Sequence, residues 1–136
     1  MFSLISNAEL KKDIDGLYKI LHVFNTQKHR YLSMYVVDAT ETHEEGDQIL
    51  GKDGVYTAAL MTAIEQYIHP AIHHLNRLIN SNGDNELLLD TDHVDIDHYL
   101  DCLMDITKGS FINGFLDENR KLIKKYSIFS REKTSE

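Results

Sequence analysis

The stretch from residue 78 to residue 107 carries eight carboxylates and not one lysine or arginine. That equals the formal net charge of the whole chain, −8 at pH 7. Six of these acids, Asp90, Asp92, Asp95, Asp97, Asp101 and Asp105, fall in one run with helical spacing at its end. Asp97, Asp101 and Asp105 stand four apart, on the side of a helix opposite Ile96, Leu100 and Leu103. Like charges at that spacing repel by a few tenths of a kcal/mol per pair, on the order of 0.2–0.5. Aspartate is also a weak helix former. No cation is interleaved, as it usually is on a merely solvated helix face. An acidic solubility surface is the plain reading. The sharper one is a surface that meets a cationic protein, whose approach such a field accelerates.

Eight histidines raise a second possibility, a metal site. Glu65, His69 and His73 are spaced four and four, which on a straight helix aligns one carboxylate and two imidazoles. Both histidines project away from Ile64, Ile68 and Leu75, and Pro70 lies between them. Asp90, Asp92, His93, Asp95, Asp97 and His98 form the other cluster of hard ligands. A calcium-binding helix-loop-helix would need a glycine after its first acids and a glutamate closing the loop. Here Gly83 precedes the acids, so only an irregular divalent site would fit. His69, His73, Glu65, His93 and His98 are the metal candidates. No cofactor is expected otherwise.

Signals for catalysis are missing. The sequence has no glycine-rich phosphate loop and no nucleophile elbow. Its single cysteine, Cys102, sits between Asp101 and Asp105, and neighbouring carboxylates disfavour a thiolate. The expectation leans away from an enzyme.

The elements that must hold these residues are helical almost throughout. Ser6 and Glu9 form a capping box, followed by Leu10, Ile14, Leu17, Leu21 and Phe24 on one face. Lys28 falls in the same seam, and the spacing predicts one long helix to about Val37 with the lysine's charge carried to its edge. Residues 38–53, with six acids, one lysine and two glycines, read as a long loop. A second helix is expected over about 55–79 with Leu60, Ile64, Ile68, Ile72, Leu75 and Ile79 inward, kinked or restarted at Pro70. Residues 80–85 are a stop signal, and residues 86–89 a short strand or turn. A third helix starts near Asp95 and buries Ile96, Tyr99, Leu100, Leu103 and Ile106 or Thr107. After a break at residues 108–110, a fourth aligns Phe111, Phe115, Leu122, Tyr126 and Phe129. The predicted fold is an all-α, single-domain helical bundle of about four helices with two long acidic connections. The domain spans residues 1–129, and residues 130–136 form a polar, frayed tail.

At 136 residues the chain has the length of one domain, and 42% hydrophobic residues suffice for a continuous core. Its acidity argues against direct nucleic-acid binding or adhesion to an anionic membrane. No apolar run is long enough to span a bilayer, residues 1–6 lack the features of a secretory signal, and one cysteine fits a reducing, cytoplasmic setting. The expected function is a non-enzymatic acidic protein-binding domain that covers a basic partner surface, of the inhibitor, immunity or counter-defence type. Two alternatives remain: a divalent-metal bundle, or a self-associating bundle that buries Phe111, Ile112, Phe115, Leu116, Leu122 and Ile123 in a homodimer. On the first reading, replacing Asp97 and Asp101 by Asn weakens partner binding and leaves or raises thermal stability.

Overall fold

Ser6 starts the first helix as the capping pattern requires: its hydroxyl oxygen accepts from the Glu9 amide at 3.1 Å. The Glu9 carboxylate is used elsewhere, accepting from Lys125 Nζ of the last helix at 2.6 Å. A computed structural model describes the backbone of residues 2–40, 45–82, 86–90, 96–127 and 129, and the side chains of 4–32, 54–81, 86, 88, 96–127 and 129. Along it run β1 (Phe2–Ile5), α1 (Asn7–Thr40), α2 (Glu45–Asn82), β2 (Leu87–Asp90), α3 (Asp97–Ile106) and α4 (Phe111–Lys125). The expected all-α bundle is the fold, with one addition. β1 and β2 pair as an antiparallel two-stranded ribbon, Leu4 opposite Leu88 and Ile5 opposite Leu87.

The first connection is not the long loop that its glycines and acids suggest. α1 extends to Thr40 and α2 already begins at Glu45, so most of residues 38–53 is helical backbone. Just past this stretch, Gly54 serves packing within α2. A Cβ at Gly54 would lie 2.6 Å from the Tyr31 carbonyl oxygen, so its missing side chain lets α2 lie directly against the α1 backbone. At 34 and 38 residues these two helices are by far the longest elements, and they form the largest packing interface of the fold. α3 and α4 cover only part of that pair. α2 is continuous across Pro70, which is itself buried.

The core gathers Leu10, Ile14, Leu17, Ile20 and Phe24 from α1 with Leu60, Met61, Ile64, Ile68, Ala71, Ile72 and Leu75 from α2. Ile96 enters just ahead of α3 and Leu100 and Leu103 from α3 itself, and Ile112, Phe115, Leu116, Ile123, Tyr126 and Phe129 from α4 and its end. Thr107, not Ile106, is the buried residue closing α3, and its hydroxyl donates to the Leu103 carbonyl at 2.6 Å. The turn into α4 uses Gly109 at φ 79°, a left-handed conformation suited to glycine.

Of the face expected for the fourth helix, Phe115, Tyr126 and Phe129 are buried, whereas Phe111 and Leu122 are not. Phe111 stands at the first position of the helix, 60% exposed, and Leu122 is only half-buried. Ile112, Leu116 and Ile123 are spent in the chain's own core. The apolar excess that would have supported a homodimer through α4 therefore shrinks to Phe111 and its ring contact with Phe115. Among the described residues, no helix is long and apolar enough to cross a membrane.

Candidate functional site

α3 and α4 are antiparallel neighbours joined by a short turn, so rows of equal spacing on the two helices come face to face. Asp97 and Asp101 are four apart on α3; Arg120 and Lys124 are four apart on α4. The Asp97 carboxylate accepts from Arg120 Nη2 at 2.8 Å and from Lys124 Nζ at 3.2 Å. Arg120 Nη2 also lies 2.7 Å from Asp101 Oδ1. The acidic row that looked uncompensated along its own helix thus meets its cations from the next one. This corrects the expectation that no cation relieves it.

The three carboxylates differ in what remains available. Asp97 is 29% exposed at its side chain, while Asp101 is 66% and Asp105 76% exposed. One turn beyond Asp101, the matching α4 position is the buried Leu116, which cannot supply a cation. Asp105 instead pairs with Lys108 on its own segment at 3.1 Å, a contact exposed on both sides. Such pairs are worth about 0–1 kcal/mol in water. Partial burial pushes the Asp97 carboxyl up, but hydrogen bonds from Arg120 and Lys124 and their charges outweigh it and hold it below the usual carboxylate range. Arg120 is pushed up in turn, first by its hydrogen bond to Asp97. Asp97 is therefore an ionised structural post between two helices. Asp101 and Asp105 remain facing solvent. Asp90 ends β2 opposite Phe2, while Asp92 and Asp95 lie outside the described residues.

The metal candidates among the described residues do not come together. Glu65 is buried and forms an ion pair with Lys28 across the α1–α2 seam, so its carboxylate is already engaged by a cation. This also corrects the expected course of Lys28: its side chain, 20% exposed, turns into the seam, because Glu65 is there to receive its ammonium. His69 and His73 are exposed on the outer side of α2, with His74 stacked on Phe129 at 5.2 Å between ring centres. His98 is exposed and meets Tyr99 edge-on, and His93 lies outside the described residues. Among the described residues, no three His, Cys, Asp or Glu side chains are grouped to hold a metal ion. Cys102 is a half-buried free thiol packed against the core, with Tyr56 beside it.

A second polar cluster ties α1 to the end of α4, and the sequence did not announce it. Tyr126, fully buried, donates its hydroxyl proton to Asp13 Oδ2 at 2.5 Å. Lys125 Nζ bonds the same Asp13 oxygen at 2.9 Å. Burial pushes the Tyr126 phenol far up, and the adjacent Asp13 carboxylate adds to this. Burial lowers Lys125, but its bonds to Asp13 and Glu9 more than reverse that. Nothing in the spacing of Asp13 marks it as a partner for a buried tyrosine. Comparison with protein-family models, curated proteins and solved structures gives no match to this chain.

Proposed function

We propose that this chain is a non-enzymatic protein-binding domain that covers a basic surface on a partner, in the manner of inhibitors, immunity proteins or counter-defence proteins. One observation supports the reading above others. Asp101 and Asp105, each paired with one cation, keep 66% and 76% of their side chains exposed, and in the sequence they follow Glu86, Asp90, Asp92 and Asp95 with no lysine or arginine between. Asp97 is assigned a supporting part, holding Arg120 and α4 in place, while Asp101 and Asp105 are assigned the contact. Carboxylates at the rim of an interface chiefly speed association and select partners by charge, so their loss should act on the rate of encounter and its salt dependence.

The experiment is capture from a lysate of the cell that makes the protein, with the wild type and the Asp101→Asn/Asp105→Asn variant immobilised in parallel. A basic protein retained by the wild type, released by moderate salt and lost by the variant is the expected result. Equal retention of the same partners by both proteins overturns the acidic-face reading.

A further inference from the structure

The two-stranded ribbon presents an apolar pair to solvent. In its register Leu4 stands directly opposite Leu88, and the two are 67% and 61% exposed. The next residue of β1, Ile5, is 1% exposed, so the strand alternates and its inner side is anchored on the core. Isolated exposed leucines are common and need no explanation, but two joined across a ladder form one patch. Among the described residues no third strand pairs with either β1 or β2. A lone two-stranded ribbon is marginally stable in water, and an unpaired strand edge is a template for another chain.

Charge decides which chain fits. Residues 1–10 hold no lysine or arginine, and neither do residues 78–107, which carry the eight acids; the cations that bound these two stretches are Lys11, Arg77 and Lys108. Glu86, at the entry to β2, is exposed. A second copy adding edge to edge would bring one acidic segment against another, and facing like charges destabilise a ladder. A basic occupant would meet the opposite sign at both ends of β2, where Glu86 precedes the strand and Asp90 closes it. We propose that the β1–β2 ribbon takes up an extended, basic segment of a partner protein as a third strand. Leu4 and Leu88 form the apolar contact and the flanking acids receive its lysines or arginines. This rests on the acidic protein-binding reading above and gives it a place and a mode: backbone pairing supplies affinity, and alternate side chains supply selectivity.

The test titrates the isotope-labelled full chain with the peptide acetyl-Lys-Val-Lys-Val-Lys-Val-Lys-amide and with its counterpart in which every Lys is Glu, following backbone amides. The expected result is saturable shifts concentrated in Phe2–Ile5 and Leu87–Asp90 with the Lys peptide and none with the Glu peptide. Affinity should fall at least about fivefold between about 50 and 200 mM salt. It should fall at least about tenfold in Leu88→Asp. Leu88 is exposed, so that variant should keep its fold, and Leu4→Ser provides a second substitution on the other strand. Shifts centred on α3, untouched by Leu88→Asp and abolished by Asp101→Asn/Asp105→Asn, overturn the ribbon site while leaving the acidic-face reading standing. No shift with either peptide at millimolar concentration overturns the ribbon site, and the capture experiment then decides the wider reading. Ribbon shifts that follow protein concentration without peptide show a second copy in the place assigned to a partner, and overturn the proposal too.

Discussion

Arg120 of α4 reaches two carboxylates of α3, Asp97 at 2.8 Å and Asp101 at 2.7 Å, and so joins the last two helices through a charge that neither helix could balance alone. Lys124 completes the cluster on Asp97, one turn further along α4. Removing Asp97 leaves two partly shielded cations facing one exposed acid. Asp97→Asn should therefore cost on the order of 1–2 kcal/mol in urea unfolding at pH 7, since truncating one member of a partly buried charged network leaves its partners unmatched. That reverses the sequence-based expectation of unchanged or raised stability. Asp105→Asn, which loses only an exposed pair with Lys108, should stay within about 0.5 kcal/mol of wild type.

The same cluster sets an acid dependence. The folded Asp97 carboxyl titrates below its unfolded value, so the stability it lends is present above the ordinary aspartate range, about pH 4, and is lost as pH falls through the folded value. The stability gap between wild type and Asp97→Asn should be full at about pH 6–7 and shrink steadily below about pH 4. A gap of constant size from neutral to acid pH would show that Asp97 is not ionised in its pair.

Helix positions and core faces were legible because apolar spacing follows the helical period, and burial rewards that period directly. Leu10, Ile14, Leu17 and Phe24 in α1 and Leu60, Ile64, Ile68, Ile72 and Leu75 in α2 are buried as their spacing implies. Residues 38–53 read as a loop, yet most of their backbone is helical, and at the end of that stretch Gly54 shows how a glycine can serve a helix. Glycine breaks helices through backbone entropy, a local effect, whereas Gly54 is there for a tertiary one, the close passage of the Tyr31 carbonyl. The candidate site was half legible. The row of aspartates is visible in the sequence, and so is an Arg120/Lys124 row of equal spacing. Their meeting depends on α3 and α4 running antiparallel across a short turn, which the break at residues 108–110 could have suggested. Asp13 with Tyr126, and Lys28 with Glu65, join positions far apart in the chain, and no periodicity marks such pairs.

Gly54 and Gly114 make opposite predictions for the same substitution. Gly54→Ala places a methyl 2.6 Å from a backbone oxygen that cannot move without parting α1 from α2. It should destabilise by about 1–3 kcal/mol, the range for overpacked sites, despite alanine's better helix propensity. At Gly114, inside α4, an added methyl would meet nothing within 4 Å. Gly114→Ala should stabilise by about 0.5–1 kcal/mol through propensity and unfolded-chain entropy. Thermal melts of the two variants, taken together, check both signs.

Tyr126 should report on the α1–α4 junction in alkaline solution. Its hydroxyl is bound to Asp13 and buried, so the folded phenol ionises far above the usual value of about 10. A group whose folded value is raised stabilises fully below its unfolded value, and that contribution disappears as pH rises toward the folded one. Absorbance titration should show one of the seven tyrosines withheld until the protein unfolds, and Tyr126→Phe should remove that late step. The variant should also lose about 1–2 kcal/mol near neutrality, the cost of a hydrogen bond to a charged acceptor. Seven tyrosines titrating together in the folded protein would contradict the Asp13 bond.

Lys28 and Glu65 offer a test of whether a charge pair in a helical seam stabilises or only satisfies itself. Glu65 is buried and Lys28 nearly so, hence removing the lysine alone strands a carboxylate between α1 and α2. Lys28→Met should cost about 2–3 kcal/mol, somewhat under the roughly 3–5 kcal/mol typical of a fully buried pair because the site retains some solvent access. Replacing both, as Lys28→Met/Glu65→Leu, removes the unpaired charge and adds apolar surface to a seam already lined by Phe24 and Ile68. The double variant should recover most of that loss and can equal the wild type, since a well-packed apolar pair often matches a buried ionic one. Urea unfolding of both single variants and the double closes a thermodynamic cycle. If the double variant is as unstable as the sum of the singles, the two residues are uncoupled and the seam is held by its apolar packing alone.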